Sequence, residues 1–421
     1  MPSELMDKNN MQSKREKKKT FGEKVFPGII TGASDNDPAG IASYSISGAQ
    51  FGYQQLWLMV LAIPLLIAVQ SMCARIGDVK KKGLSSLFKE NFHPSIAWFA
   101  TLGLIFANVF TIGADIVAMG SVLQLVSGID YRIWVVPITL LIAYIVIFRS
   151  FKFLEKYFKY LTLFFFSYIL AAFFAKPDWL DVLKNIFTPS ILSMSNEFWL
   201  AAVAILGTTI TPYLFYWETK EKIEEKENRS DSLEDAKRED YYNAPGFIFS
   251  QMITLFIMIA TGATLFAHGI QINSAAEAAS ALEPFAGSLS KWLFTIGILG
   301  SGFLAIPILS ASTGYVVADT AGWTDSLDSK LKNAKGFYIT IILSLLAGIV
   351  VVIFGIDPIR ALFYSQVVNG ILGPFLIILI LILANRKKVM KNFTNGWFDN
   401  IFGILAVIIM TTAVLLTFIH F

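Results

Sequence analysis

The chain has little charge. Only 15% of its 421 residues are Asp, Glu, Lys or Arg, whereas soluble domains carry about 25%. Hydrophobic residues make up 55%, and apolar runs such as 56–74 and 375–384 recur along the whole sequence. Because a helix needs roughly 20 such residues to cross a bilayer, the composition predicts a polytopic membrane protein. The net charge of +3 gives no reason to expect a nucleic-acid partner.

Cysteine and histidine are almost absent. The single cysteine, Cys73, lies in an apolar run, which excludes a disulfide framework and a metal–thiolate site. The three histidines, His93, His268 and His420, are too dispersed to predict a metal triad. The sequence has no His-Glu-x-x-His, no Gly-x-Ser-x-Gly and no glycine-rich phosphate loop, so an enzyme is not expected.

Apolar segments and basic residues together predict the topology. Eleven membrane spans are expected, near 25–48, 55–76, 95–127, 133–148, 159–175, 198–217, 246–268, 288–318, 337–355, 359–384 and 398–419. With this count, 29 of the 34 basic residues fall on one side of the membrane. Since cytoplasmic loops carry the excess of Lys and Arg, the bias predicts the orientation of this multi-pass protein, which we expect in the plasma membrane. Its N-terminus is expected in the cytoplasm and its C-terminus outside.

The segments outside the spans are few. Residues 1–24 form a basic tail, which we expect to be cytoplasmic and drawn to anionic headgroups of the lipid bilayer. Residues 25–419 form a single transmembrane domain. Within it, 218–243 is a run of mixed charge that we interpret as a solvated cytoplasmic loop with some amphipathic helix.

The first span contains the most costly residues of the chain. The stretch TGASDNDPAGIAS, residues 31–43, puts Asp35, Asp37 and Pro38 into apolar surroundings. Pro38 interrupts a helix, and a charge at mid-bilayer costs roughly 2.5–3.5 kcal/mol even on a lenient scale. Unwound backbone at that depth is tolerated only where it is buried in protein or lines a cavity. The alternative interpretation is that the two carboxylates cap a helix end at the membrane surface.

The sixth span contains a similar interruption. AILGTTITPYLFYWE holds Gly207, three threonines and Pro212, and it comes five spans after the first. Two interrupted spans in matching positions of two halves are the best sequence indication of a transporter site built on inverted repeats. In such sites, backbone carbonyls and side-chain oxygens surround a cation.

Two further segments carry polar residues inside spans. Asp115 lies in FTIGADIVAMG of the third span, and an acidic residue there is a functional hypothesis by default. It could line a proton or water pathway, or bond to a neighbouring helix. Gln366 and Asn369 lie in SQVVNGILGP of the tenth span, where helix packing is the alternative to a role in the site.

These motifs resemble those of the Nramp divalent-metal transporters, over about residues 24–419. The family motifs are Asp-Pro-Gly-Asn in the first span and Gly-Ala-x-x-Met-Pro-His in the sixth; the matching stretches here are DPAG (37–40) and GTTITPY (207–213). The resemblance implies these correspondences: Asp37 and Pro38 match, Gly40 replaces the metal-binding Asn, Thr208 supplies the carbonyl ligand, Thr211 replaces the ligand Met and Tyr213 the His. In the third span Asp115 is kept, but Ala118 stands where the family has a glutamate. In the tenth span Leu372 replaces a glutamine that can reach the metal.

The resemblance implies an all-α protein of the LeuT-type five-plus-five inverted-repeat fold, with about eleven spans, of which the first and sixth are discontinuous. Loss of the thioether leaves only oxygen ligands, which suit magnesium, calcium or manganese, and magnesium keeps several of its waters. The pattern resembles the Nramp-related magnesium transporter branch, which is described as uncoupled. We therefore expect import of hydrated Mg²⁺, and secondarily Mn²⁺, as transported substrate, with no cofactor.

The implied metal site consists of Asp37, Thr208 and Thr211, lined by Ala39 and Gly40, with Asp35 as a second carboxylate. Asp115, Tyr213, Gln366 and Asn369 are expected along the pathway. Two alternatives remain open at this point. One is a proton-coupled Mn²⁺/Fe²⁺ symporter of the Nramp type, with protons as coupling ion, and the other is a sodium-coupled amino-acid symporter of the same fold.

Overall fold

The computed structural model describes residues 36–148, 164–188, 195–227, 244–323, 331 and 333–419. Within these ranges the regular structure is helical, and nine segments are long and apolar enough to cross a membrane. They are Leu56–Lys80, Pro94–Ser127, Tyr131–Phe148, Asn196–Ile223, Ala244–His268, Glu283–Ala321, Lys335–Ile353, Pro358–Asn385 and Trp397–Ile419. Each coincides with one of the eleven predicted spans.

The other two predicted spans, 25–48 and 159–175, lie partly outside the described residues. The 1–24 tail lies entirely outside them, and so does most of the 218–243 loop. The α-helices are, in chain order, α1 (Pro38–Phe51), α2 (Leu56–Lys80), α3 (Leu84–Asn91), α4 (Pro94–Ser127), α5 (Tyr131–Phe148), α6 (Phe166–Phe174), α7 (Trp179–Phe187), α8 (Asn196–Thr209), α9 (Pro212–Glu227), α10 (Ala244–Thr264), α11 (Ala275–Ser280), α12 (Glu283–Ala286), α13 (Ser290–Ala321), α14 (Lys335–Leu345), α15 (Ala347–Ile353), α16 (Pro358–Asn385), α17 (Lys387–Met390) and α18 (Trp397–Ile419).

Helix α1 lies in the middle of the bundle, although it is only 14 residues long. It contacts α4, α8, α10 and α16, and residues 38–49 are all buried. Small residues permit this central position: a Cβ added at Gly48 would collide with Thr261 of α10. The first half of the chain and the second half therefore meet around α1.

The outer helices carry the surface that faces lipid. Side chains such as Phe106, Leu140 and Ile404 are exposed from α4, α5 and α18, as expected for a protein whose solvent at that depth is hydrocarbon. Helix α18 is attached to α2 by a buried ion pair, in which Arg75 Nη2 lies 2.6 Å from Asp399 Oδ2. Helix α9 continues through Glu227, so the charged segment begins as a continuation of a membrane helix.

Candidate functional site

The sixth span is interrupted between α8 and α9, as the sequence predicts. Helix α8 ends at Thr209, and Ile210 adopts φ −110° and ψ 63°. Pro212 begins α9 and has no amide hydrogen, so the carbonyl of Thr208, four residues earlier, has no helical partner. The Thr211 hydroxyl donates to that carbonyl. The interruption thus places two oxygen atoms that can bind a metal, the Thr208 carbonyl and the Thr211 hydroxyl, next to each other.

Helix α1 begins inside the protein. Asp37 is its N-cap, with φ −68° and ψ 166°, and Pro38 is the first helical residue, a position that tolerates proline. Asp37 Oδ1 accepts a hydrogen bond from Gly40 N at 2.5 Å. Asp37 therefore does cap a helix, but the residue is only 1% exposed, so the cap is enclosed by protein. Asp35, the expected second carboxylate, lies outside the described residues.

The start of α1 and the interruption of the sixth span contact each other through Gly40. A Cβ added at Gly40 would lie 2.6 Å from Thr208 Oγ1 and 3.0 Å from Asp37 Oδ1. One turn further along α1, the Tyr44 hydroxyl forms a 2.9 Å hydrogen bond with Thr209 Oγ1. An asparagine at position 40 would need the space that Thr208 occupies. A larger side chain at position 40 and the Thr208 side chain would therefore compete for the same space.

A second carboxylate binds the same helix end. Asp115 of α4 is fully buried, and its Oδ1 accepts from Ala39 N at 3.1 Å. Its Oδ2 is buried and has no hydrogen-bond partner among the described residues. Asp37 and Asp115 thus bind adjacent amides, at the positive end of the helix, where donors are otherwise left free.

Helix α16 supplies an amide to the carboxylate. Gln366 Nε2 donates to Asp37 Oδ2 at 3.3 Å, and Gln366 Oε1 accepts from Asn369 Nδ2 at 3.1 Å. Helices α8 and α16 pack closely at two glycines: a Cβ at Gly207 would collide with the backbone carbonyl of Gln366, and one at Gly370 with that of Val203. This close packing brings the Gln366 side chain within hydrogen-bond distance of Asp37. Gln366 and Asn369, expected along the pathway, therefore lie against Asp37.

In the described part of the chain, no basic side chain forms an ion pair with either carboxylate. The ion pairs among the described residues are Arg75–Asp399, Lys82–Glu90 and Lys220–Asp319, and none of them includes Asp37 or Asp115. The effective cost of burying one unpaired ion is several kcal/mol. A cation, or a proton on one carboxylate, would relieve this cost. The described residues contain no group of three or more His, Cys, Asp or Glu, so a cation there would have to complete its shell with neutral oxygens or water.

Three other residues that the sequence analysis names contact neighbouring helices. Ala39 presents its N–H to the site, whereas its carbonyl points along α1 and accepts from Ser43 Oγ at 2.8 Å. Tyr213 is buried in α9, where its carbonyl accepts from Ser312 Oγ of α13 at 3.1 Å. Leu372 packs towards Gly103 of α4.

Sequence reasoning missed Thr111. It lies on α4 one turn before Asp115 and accepts a hydrogen bond from Asn369 Nδ2 at 3.3 Å. The signal that could have found it is the spacing of four residues to Asp115, which puts both side chains on one face of the helix.

The site is closed on the side where basic residues cluster. Lys220 Nζ of α9 lies 2.9 Å from Asp319 Oδ1 of α13, with both side chains about nine-tenths buried. Lys89 Nζ of α3 donates to Thr320 O at 2.6 Å, and the rings of Phe88 and Tyr216 meet edge to face. These contacts join α3, α9 and α13 beneath the site.

The opposite side has a cavity of about 240 Å³ lined by residues that include Gln124, Asn273 and Asp357. A much smaller space adjoins it, since Ser121 lines both. The smaller space extends to Ala42 and Ala118, where the resemblance places a glutamate in the family. The cavity therefore leads from that side towards α1.

Comparison with known proteins agrees with this architecture. The model of the family described as "Natural resistance-associated macrophage protein-like", abbreviated Nramp, matches residues 28–420. A relative named divalent metal cation transporter MntH, from Caldanaerobacter subterraneus subsp. tengcongensis, is 28% identical over 407 residues, covering 92% of this chain and 90% of the relative.

Two solved structures show the fold. A manganese transporter mutant (H236A) from Eremococcus coleocola superposes with a TM-score of 0.74 at 20% identity, covering 94% of this chain and 87% of that one. Mhp1, a nucleobase-cation-symport-1 family transporter, superposes with a TM-score of 0.61 at 13% identity, covering 94% and 92%. The expected all-helical LeuT-type architecture is confirmed.

Proposed function

The chain belongs to the Nramp family, and on that basis we propose that it carries divalent metal cations through the cell membrane. The preferred substrate would be partly hydrated Mg²⁺, followed by Mn²⁺, moving inward without strong proton coupling. Asp37 would be the primary ligand, with Thr208 and Thr211 as oxygen donors and with Ala39 and Gly40 as a lining of small residues.

The observation that carries this proposal is the pair of buried carboxylates. Asp37 and Asp115 are 1% and 0% exposed, bind adjacent amides of α1 and have no basic partner among the described residues. A divalent cation balances two negative charges at once. This role accounts for a pair of acidic residues whose burial would otherwise only destabilise the protein.

The donor atoms support a hard cation. The polar groups around the end of α1 are carboxylates, hydroxyls, amides and a carbonyl, and such oxygen ligands suit Mg²⁺, Ca²⁺ or Mn²⁺. Magnesium dehydrates reluctantly and usually takes one or two carboxylates. Two carboxylates and no third acidic, Cys or His ligand among the described residues fit an ion that keeps several waters.

The direction of entry follows from the charge bias of the loops. The side closed by Lys220 and Asp319 carries the basic connections, which would be cytoplasmic. The 240 Å³ cavity would then open to the outside, with Asp357 and Asn273 at its wall. Asp35 could add a further carboxylate to the path of the ion.

The sodium-coupled amino-acid alternative is disfavoured by the same contacts. Symporters of this fold use the N-terminus of a half-helix to hold the substrate carboxylate. Here Ala39 N and Gly40 N already donate to Asp115 and Asp37. The proton-coupled alternative keeps one supporting observation, the unpartnered Oδ2 of Asp115, which could accept a proton.

Uptake into proteoliposomes tests the proposal. Magnesium and manganese entry are followed with trapped indicators, together with a pH indicator, for the wild type, Asp37→Ala and the control Asp178→Ala. Asp178 also caps a helix, but on an exposed surface. We expect entry to be lost only in Asp37→Ala, and unchanged flux in that variant would sink the proposal. Acidification that follows metal entry would establish the proton-coupled version instead.

A further inference from the structure

The amide of Gln366 has a defined direction in the site. Its Nε2 donates to Asp37 Oδ2 at 3.3 Å, and its Oε1 accepts from Asn369 Nδ2 at 3.1 Å. One end of a glutamine amide donates and the other accepts. The end that faces Asp37 is therefore determined by what the opposite end binds.

Asn369 is oriented in turn by Thr111. The Thr111 hydroxyl donates to Ala107 O at 3.0 Å, and a hydroxyl has only one hydrogen. Thr111 Oγ1 can therefore only accept from Asn369, whose Nδ2 lies 3.3 Å away. Both hydrogens of the Asn369 amide are committed, one to Thr111 and one to Gln366.

The reverse orientation is excluded by lone-pair contacts. If the Asn369 amide were turned by 180°, its oxygen would face Thr111 Oγ1 and Gln366 Oε1, which both act as acceptors. If Gln366 turned as well, its oxygen would face the Asp37 carboxylate. Amide orientations are assigned from such networks. Only this assignment pairs a donor with an acceptor at each of the three contacts, and it leaves Asn369 Oδ1 without a partner among the described residues.

Burial makes the orientation persistent. Thr111, Gln366 and Asn369 are each 0% exposed, so bulk water does not compete for their donors. Inside a protein the lower dielectric strengthens hydrogen bonds and raises the cost of a broken one. The chain of donors runs from α16 to α4 on one side and to Asp37 on the other.

We propose that Asn369 is a positioning residue. It holds the side-chain amide of Gln366 as a donor to Asp37 and thereby keeps the side-chain oxygen of Gln366, Oε1, out of the metal's coordination shell. This inference rests on the proposed function, since it concerns how the same site selects among cations. A site that withholds one carbonyl oxygen leaves a coordination position to water. Magnesium tolerates this arrangement because it dehydrates reluctantly.

Release of the amide should change selectivity. In Asn369→Leu, the side-chain amide of Gln366 loses the partner that orients it and is free to turn its oxygen, Oε1, towards a bound cation. The added protein ligand should favour the ion that gives up water more readily. We expect the KM for Mn²⁺ to fall relative to that for Mg²⁺ by about 5-fold, within the range of couplings measured between contacting residues, with little change in maximal rate.

A double-mutant cycle isolates the effect. KM and maximal rate for both ions are measured in proteoliposomes for the wild type, Asn369→Leu, Gln366→Ala and the double variant. Asn108→Leu is the control, because Asn108 is another buried amide of the bundle and donates instead to Thr313 Oγ1 at 3.1 Å. The KM ratio should change in Asn369→Leu, and Asn369→Leu should have no further effect when Gln366 is alanine.

Two results would overturn the inference. One is an unchanged KM ratio in folded Asn369→Leu, and the other is an equal change with and without Gln366, which would mean that packing alone is responsible. If Asn369→Leu does not fold, Thr111→Val removes the acceptor while it conserves shape, and the ratio must shift in the same direction. Failure of the wild type to move any divalent cation would refute the proposed function instead, so the two failures are distinct.

Discussion

Replacing Gly40 by alanine perturbs the contact that joins the two interrupted spans. The new Cβ would lie 2.6 Å from Thr208 Oγ1 and 3.0 Å from Asp37 Oδ1, whereas ordinary contacts begin at 3.4 Å. The Thr208 side chain must therefore withdraw by about 0.8 Å, and Asp37 by about half as much. The second movement displaces a carboxylate oxygen that we propose as a ligand, and the first disturbs the residue whose backbone carbonyl we propose as another.

The size of the effect follows from this overlap. Inserting a methyl group into a packed interior costs typically 1–3 kcal/mol, which corresponds to about 5- to 150-fold in an equilibrium constant. We expect Gly40→Ala to lower the thermal midpoint of the purified protein and to raise the KM for the metal. Thr208→Ala removes the closer of the two contacts, so the double variant should recover most of both losses.

Thermal unfolding in detergent and metal uptake into proteoliposomes measure the two quantities. Gly396→Ala is the control, because an added Cβ there meets nothing within 4 Å. The same logic extends to Gly40→Asn, which should be inactive alone and should regain uptake with Thr208→Ala. Wild-type behaviour of Gly40→Ala, or no recovery with Thr208→Ala, would refute the reasoning.

Three further changes test other parts of the structure. Asp115→Asn still offers an oxygen to Ala39 N but removes one uncompensated charge, so the protein should fold while metal affinity measured by calorimetry falls; unchanged affinity would contradict a role for this charge. Asp319→Asn leaves the Lys220 ammonium without its carboxylate and should open the closed side, which increased thiol labelling of Tyr216→Cys in a Cys73→Ala background would report; equal labelling would count against this closure. Gly207→Ala places a Cβ against the Gln366 backbone, which cannot rotate away, and should lower the thermal midpoint more than Gly40→Ala does; a smaller decrease would show that α8 and α16 have room to separate.

Much of the architecture can be predicted from the sequence because few backbone conformations can span a bilayer. Every backbone group in hydrocarbon must be hydrogen-bonded within the protein, and a helix achieves this within its own segment. Apolar length therefore predicts helices, and nine of the eleven expected spans are found in the described part of the chain. Pro212 and the residues around it predict an interruption for an equally local reason, the missing amide hydrogen. The position of Asp37 as a helix cap also follows from local chemistry.

The composition of the site was less predictable. Asp37, Thr208, Gln366 and Asn369 were identified as candidates, but Thr111 was missed, and the hydrogen bond from the Ala39 amide to Asp115 was not expected. The resemblance pointed to Gly40 as a lost ligand. It did not indicate that Thr208 fills the same space.

Sequence by itself determined which segments are helices, where two of them break and which residues bring charge into the membrane, because these properties depend on neighbours along the chain. Tertiary structure alone decided that Asp37 and Asp115 share one helix end, that Gly40 faces Thr208 and that Gln366 turns its donor towards the carboxylate. These arrangements join residues between 76 and 329 positions apart. They depend on how closely glycines let the helices approach and on which hydrogen-bond partners remain once the backbone is satisfied.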